Sequence, residues 1–378
     1  MKKTFLKVLC LCLSALMLAG MFVGCGKKDE TYVIGCTGPL SGDAASYGIS
    51  VKNGAMLAVE EINAAGGLNG VKFTFEMVDD EAKGDKATTG YETLLGKGMQ
   101  VALGSVTTGS ALAFAEASKE DNLFFITPSA SADDVIAGAN GYRVCFGDPD
   151  QGMFAAEELV KTYNKIGVIY NADDTYSTGL LAGFETKMAA LNKADAYVKQ
   201  SFGASTNKAF DGQVAALKAA GCDVVFLPIY YKEASLIIGE AAKQGYEVAF
   251  FGCDGMDGIV GHVANDASLA EEIKGLKYLS PIDVNSTDDK VKGFVDAYKA
   301  KYNAVPDQFA ADGYDAVYVI FEAMKAAGVD DVNISADELC KKLTGVLQGD
   351  FTYAGVTGTM TWNAQGAAVK NPYIITIE

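Results

Sequence analysis

The stretch LFFITPSASADD (123–134) carries the reading on which the fold turns. Four apolar residues and a threonine run into a proline, two serines, two alanines and two acids. A strand this apolar reads as buried on both faces, which is the condition of a strand in a parallel sheet covered by helices. Its abrupt end in small hydroxyl residues marks the point where the chain reaches the surface.

The same rhythm extends to both sides. Before it, YVIGCTG (32–38), KFTFEMVDD (72–80) and QVALGS (100–105) read as strands. Helical spacing of apolar residues covers 46–67, 85–98 and 110–121. After it, strands are expected at 165–174, 196–203, 222–231, 247–255 and 276–284. Helices are expected at 178–192, 210–221, 234–245, 288–303 and 312–328, and the tail 353–378 reads as β-rich. Alternating strands and helices predict an α/β chain with two doubly wound parallel-sheet units. The break falls near GDPDQG (147–152), which is polar and bears glycines. No low-complexity linker divides the halves, so the units are expected to be joined by several short crossings.

Ligands of open parallel sheets bind beyond the carboxyl ends of the strands, so the informative residues should follow each strand. VTTGSA (106–111) and PSASADD (128–134) end first-half strands. TYSTG (175–179), IYYKE (229–233) and DGMDG (254–258) end second-half strands. Hydroxyls and backbone N–H groups at Thr108, Ser129 and Ser131 suit a carboxylate near a helix start. Asp254 suits an ammonium group, and Tyr176 and Tyr230 offer flat faces with a hydroxyl. Together they point to a zwitterion such as an amino acid.

Composition narrows the classes. Apolar residues make up 49% and charged residues 21% of 378 residues, which is globular, and the formal charge of −17 repels phosphate backbones, arguing against nucleic acid. Residues 1–24 have the layout of a secretory signal: Lys2, Lys3 and Lys7, an apolar core over 9–23, then small residues before Cys25. Five cysteines follow Cys25, in no CxxC spacing, and read as buried thiols rather than a metal cluster or disulfide framework. No HExxH, GxSxG or GxxxxGK[ST] occurs. The single histidine, His262, would have to carry any histidine-based catalysis, so the chain is not expected to be an enzyme, and no cofactor or metal is expected. Asp79 and Asp80 read as a turn.

These residues resemble a known family. GCTGPLSGDAASYG (35–48), the helix ending NAAGG (63–67), ITPSASAD (126–133), DDTYSTG (173–179) and GTMTWNAQG (358–366) are similar to leucine/isoleucine/valine-binding proteins. FVGC (22–25) resembles a bacterial lipobox, with Phe22 where leucine is usual. The resemblance covers essentially the whole chain after Cys25. It implies a type I periplasmic binding protein: two lobes joined by a three-crossing hinge, residues 31–147 plus 279–352 as the first and 148–278 plus 353–378 as the second. It implies an extracytoplasmic receptor, lipidated at Cys25 and so anchored to the bacterial membrane. Such a receptor would be a monomer that passes an amino acid, leucine, isoleucine or valine by preference, to the permease of an ABC importer.

By the same resemblance Thr108 contacts carboxylate and ammonium, Ser129 contributes its backbone, and Ser131 a hydroxyl. Tyr176 and Tyr230 are second-lobe aromatics, Asp254 pairs with the ammonium, and Tyr47 stands at the pocket rim. Two departures bear on the ligand. Asp254 stands where glutamate is usual in the best-known pattern. Ala82 and Thr107 replace a cysteine pair, so the pocket wall around Thr107 and Phe309 need not suit a branched aliphatic chain. Another small solute (a different amino acid, an amide or a urea-like molecule) and a sensory receptor therefore stay open as alternatives.

Overall fold

The computed structural model describes residues 30–378; the stretch read as a signal sequence and Cys25 lie outside the described residues. Continuous apolar strands make the first sheet: β1 (Tyr32–Gly38), β2 (Phe73–Asp79), β3 (Val101–Ala102), β4 (Phe125–Thr127) and β5 (Gly141–Arg143). They are parallel, in the order β2-β1-β3-β4-β5. Helices α1 (Ala45–Ala64), α2 (Gly84–Gly96) and α3 (Thr108–Ser118) connect the first four.

The second sheet repeats the pattern. It begins with α4 (Asp148–Thr162), β6 (Ile166–Asn171), α5 (Thr175–Ala190), β7 (Tyr197–Phe202), α6 (Asp211–Ala220) and β8 (Val224–Leu227). It continues with α7 (Tyr231–Lys243), β9 (Ala249–Gly252), the short helices α8 (Ile259–Val263) and α9 (Ala267–Glu272), and β10 (Lys277–Ser280). Then α10 (Asp289–Tyr302), α11 (Gln308–Ala326) and α12 (Ala336–Leu347) return to the first lobe. A small antiparallel sheet follows, of β11 (Tyr353–Gly355), β12 (Gly358–Trp362) and β13 (Ala368–Val369), and β14 (Tyr373–Thr376) ends the chain. The second sheet has the order β14-β10-β9-β8-β6-β7, parallel except for β14. In both sheets the strand order reverses beside the first strand of the lobe, at β1 and β6, which opens a crevice at the strand ends there.

The chain passes between the sheets three times, between β5 and α4, between β10 and α10, and between β13 and β14. GDPDQG, read from sequence as a break, is the start of α4: Gly147 is its cap and Pro149 sits in its first turn, where a missing N–H costs nothing. The boundary expected at 278/279 falls inside β10, which belongs wholly to the second sheet. The tail also divides, against the expectation of one second-lobe piece. Asp315 of α11, fully buried, accepts from Val356 N (3.0 Å), Thr357 N (2.8 Å) and Thr357 Oγ1 (2.6 Å). The Trp362 indole donates to the Arg143 carbonyl of β5 at 2.9 Å. These bonds tie β11–β13 to the first lobe and leave only β14 to the second.

Two helix pairs hold the strand ends in place through glycine. On α1, a Cβ at Gly54 would stand 1.8 Å from the Ala310 carbonyl oxygen of α11; on α4, one at Gly152 would stand 2.0 Å from that of Leu180 on α5. No side chain fits at either crossing. Beside Gly152, Asp148 opens α4 at 1% exposure, and neither of its carboxylate oxygens has a hydrogen-bond partner among the described residues. Burial holds this carboxyl well above its ordinary range; Ser131 and Arg143 pull it back in part, while Asp254 pushes it further up.

Gly152→Val should lower unfolding free energy by at least about 2 kcal/mol in urea titration, since packed helices cannot absorb the bulk. Gly293→Ala on α10, where a Cβ meets nothing within 4 Å, should instead raise it by up to about 1 kcal/mol. Asp148 generates a pH dependence. With its folded pKa raised, the folded chain keeps a proton that the unfolded chain loses above the ordinary Asp range. Its contribution to stability is therefore full below that range and is lost as pH rises through the raised value. Thermal melts at pH 4, 6 and 8 should show wild type losing ground steadily to Asp148→Asn as pH rises.

Candidate functional site

Thr108 begins α3 directly after β3, and the sequence gives that helix start three neighbouring hydroxyls. None of them caps the helix: Thr107 makes no capping bond, and the Thr107, Thr108 and Ser110 oxygens are buried without a partner among the described residues. The hydroxyls after β4 are divided in their use. Ser129 Oγ donates to the Val106 carbonyl at 2.7 Å, which fixes the loop. Ser131 Oγ has no partner, while its carbonyl accepts from Asp148 N (3.0 Å) and Arg143 Nη1 (2.8 Å). The loop is thus held through its backbone, and its polar side chain is left over.

Opposite, on the second lobe, Asp254 follows β9 and is 5% exposed. Tyr176, in the first turn of α5, donates its hydroxyl to Asp254 Oδ1 at 2.6 Å, and Gly255 N donates to the same oxygen at 2.9 Å. No hydrogen bond reaches Oδ2 among the described residues. Gln151 Oε1 accepts from Asp254 N, and Gln308 Nε2, from α11 of the first lobe, donates to its carbonyl, both at 3.0 Å. Burial raises the Asp254 carboxyl, and Tyr176, Gln151 and Gly255 draw it back down.

Aromatic rings close the flanks. Tyr176 and Tyr230 stack at 4.7 Å and 11°. Tyr47 packs on Phe309 at 4.4 Å and donates to the Gly255 carbonyl at 2.6 Å across the lobes. Burial pushes the Tyr47, Tyr176 and Tyr230 phenols far up, so all three are neutral donors.

All seven residues read from the sequence (Tyr47, Thr108, Ser129, Ser131, Tyr176, Tyr230 and Asp254) line one cavity, together with Val106, Thr107, Gly255 and Phe309. Its free volume is small, about 10 Å³. Tyr47, Thr107 and Tyr230 also line a vestibule of about 620 Å³ between the lobes. Gln151 and Gln308 were not singled out from sequence. Gln151 lay in the stretch read as a break, and Gln308 fell ahead of the expected helix at 312. The signal for Gln308 is Asp307, whose side chain accepts from Ala310 N as a helix cap. Asp79 and Asp80 serve structure: Asp79 accepts from Leu40 N and Ser41 Oγ, and buried Asp80 from Ser105 Oγ at 2.7 Å. Cys36, Cys145, Cys222, Cys253 and Cys340 are buried free thiols. His262 stands exposed on α8 against Tyr231, outside this cavity.

Known proteins are similar to this chain in sequence and fold. The chain is 29% identical over 303 residues to Leu/Ile/Val-binding protein homolog 3 of Brucella melitensis, covering 79% of this chain and 80% of that one. It is 28% identical over 335 residues to a leucine-, isoleucine-, valine-, threonine-, and alanine-binding protein of Pseudomonas aeruginosa, covering 86% of each. Among solved structures, the branched-chain amino acid transporter substrate binding protein LivJ of Streptococcus pneumoniae, in complex with isoleucine, superposes with a TM-score of 0.80. The two are 26% identical, with 92% of this chain and 96% of that one covered. A family model described as periplasmic binding protein matches residues 31–377, and the chain belongs to that family.

Proposed function

We propose that this chain is the extracytoplasmic substrate-binding receptor of an ABC importer and captures an amino acid between its lobes. The observation that carries the reading is the cavity's polarity. Unpartnered hydroxyls of Thr108 and Ser131 face it from one lobe, and a buried carboxylate with one uncommitted oxygen faces it from the other. A zwitterion supplies what each side lacks. Its carboxylate accepts from Thr108 Oγ1 and the N–H groups of Ser129 and Ser131, near the start of α3. Its ammonium donates to Asp254 Oδ2. A buried charge needs such a partner.

Tyr176 and Tyr230 cover the head group, and Tyr47, Val106 and Phe309 meet the side chain. The relatives' names support a branched aliphatic ligand. The receptor carries out no chemistry on its ligand. Cys25 carries the lipid that tethers a monomeric receptor to the membrane, and the loaded form docks on the permease.

Calorimetric titration of the purified, ligand-stripped protein with leucine, isoleucine, valine, alanine, phenylalanine and acetamide tests the reading. Binding at micromolar Kd or tighter is expected for aliphatic amino acids and not for acetamide. Asp254→Ala and Thr108→Ala should each weaken it at least tenfold, about 1.4 kcal/mol. Unchanged affinity in both variants would remove the site assignment, and heat from acetamide alone would remove the zwitterion.

A further inference from the structure

A second cavity lies at the crossings rather than between the strand ends. It has a volume of about 360 Å³, within the range of small-molecule sites. Phe146 of the first crossing, Gln151 and Phe154 of α4, and Lys370, Asn371 and Pro372 of the third crossing form its walls. Two phenylalanines and a proline make much of it carbon. Two buried nitrogen donors stand out against that background. Gln151 is 1% exposed; its Oε1 is taken by Asp254 N, and its Nε2 has no partner among the described residues.

Lys370 is the second donor. Its side chain is 2% exposed, and Nζ lies 5.6 Å above the Phe146 ring. An ammonium has three N–H donors, and this one makes a single hydrogen bond, to Thr357 Oγ1 at 2.9 Å. Asp312 Oδ1 is 3.5 Å away and is itself without a hydrogen bond. Burial holds the Asp312 carboxyl up at about 8, with Lys370 drawing it down and Asp315 and Asp254 pushing it up. Asp315, which accepts from Thr357 Oγ1, is the other buried carboxylate beside Lys370. Asp150, the acid in the lining, shares the face of Gly147 with the Arg143 guanidinium: a Cβ there would lie 2.4 Å from Arg143 Nη2 and 3.1 Å from Asp150 Oδ2. Asp150 thus lies on the Arg143 side of the lining, where Arg143 Nη2 itself pairs with Asp133 at 2.8 Å.

We propose that this cavity is a second ligand site, which takes a small aliphatic monocarboxylate on the Lys370 ammonium and the Gln151 amide. The carboxylate completes donors that the protein leaves unused, and the alkyl chain lies against Phe146, Phe154 and Pro372. An occupant touches the first and third crossings at once and holds Gln151, whose other end holds the Asp254 backbone. Occupancy is thereby coupled to the cleft through one side chain, whichever ligand the cleft takes.

The chain has one tryptophan, Trp362, next to Asn363 of the cavity wall. Sodium butyrate is titrated into the purified protein at constant ionic strength, followed by calorimetry and Trp362 emission. Butanol and butylammonium serve as uncharged and cationic controls. Butyrate alone should give saturable heat and a parallel emission change. Both should weaken at least tenfold in Lys370→Met and in Asn371→Phe, which fills the mouth from an exposed position and so keeps the fold testable. Thr108→Ala should leave butyrate binding unchanged. No saturable heat, an equal response to butanol, binding that survives Asn371→Phe, or binding abolished by Thr108→Ala would each overturn the proposal.

Discussion

Asp254 and Gly255 form the turn on which both lobes converge. The second lobe reaches it with the Tyr176 hydroxyl and the Gln151 amide, and the first with Gln308 Nε2 and the Tyr47 hydroxyl. The turn tolerates this crowding because its second residue has no side chain: a Cβ on Gly255 would sit 2.7 Å from the Tyr176 oxygen. A carboxylate at 5% exposure persists only where hydrogen bonds replace the water it has lost. The bonds to that carboxylate come from Tyr176 and Gly255 of the second lobe, while Gln308 and Tyr47 of the first lobe hold the backbone carbonyls of the same turn, so the position of the acid and the relative position of the lobes are one constraint.

That constraint is transmitted by rigid parts. β9 and β6 carry Asp254 and Tyr176 in one parallel sheet, and α4 brings Gln151 beneath them only because Gly152 lets α4 and α5 approach at backbone distance. α11 carries Gln308 and Phe309 at its first turn and is packed on α1 through Gly54. Tyr47 lies near the start of α1. Each contributor to the cavity thus stands at an element end whose other end is locked in a core, which places site residues more precisely than a loop would.

The search beyond strand ends singled out Thr108, Ser129, Ser131, Tyr176, Tyr230 and Asp254, six of the eleven lining residues, because parallel strands send every carboxyl end to the same edge, whereas Tyr47 came from the resemblance alone. Period and composition could not reveal contributors that arrive from the crossings. Gln151 sits in GDPDQG, where Pro149 and two glycines read locally as a break although they open a helix. The three-residue β5 was equally hidden, and the tail, though read as β-rich, gave no sign of the sheet it joins: β5 and β11–β13 are held by Arg143, Trp362 and Asp315, residues far apart in sequence. The tail looked like a second-lobe piece because strand propensity says nothing about which sheet a strand joins. The lone pairs of Asp315 decide that, and they are visible only in space.

On the proposed reading, the shorter acid also shapes selectivity. Asp254 lacks the methylene of the glutamate expected from the resemblance, and the Tyr176 hydroxyl spans the difference by donating to Oδ1 while accepting from Gly255 N. One oxygen is therefore committed to the protein, and the other has a direction fixed before any ligand arrives. Facing it, the Thr107, Thr108 and Ser131 hydroxyls have no protein partner, and each such buried group costs about 1–3 kcal/mol. A ligand with a matching polar head recovers that cost, and one without it leaves the cost in place. One methylene against Val106 and Phe309 changes affinity by about 1–3 kcal/mol, as much as one of these hydroxyls and less than the three together. The pocket is thus strict about the head group and lenient about the tail, and the polar atoms at the strand ends set that order.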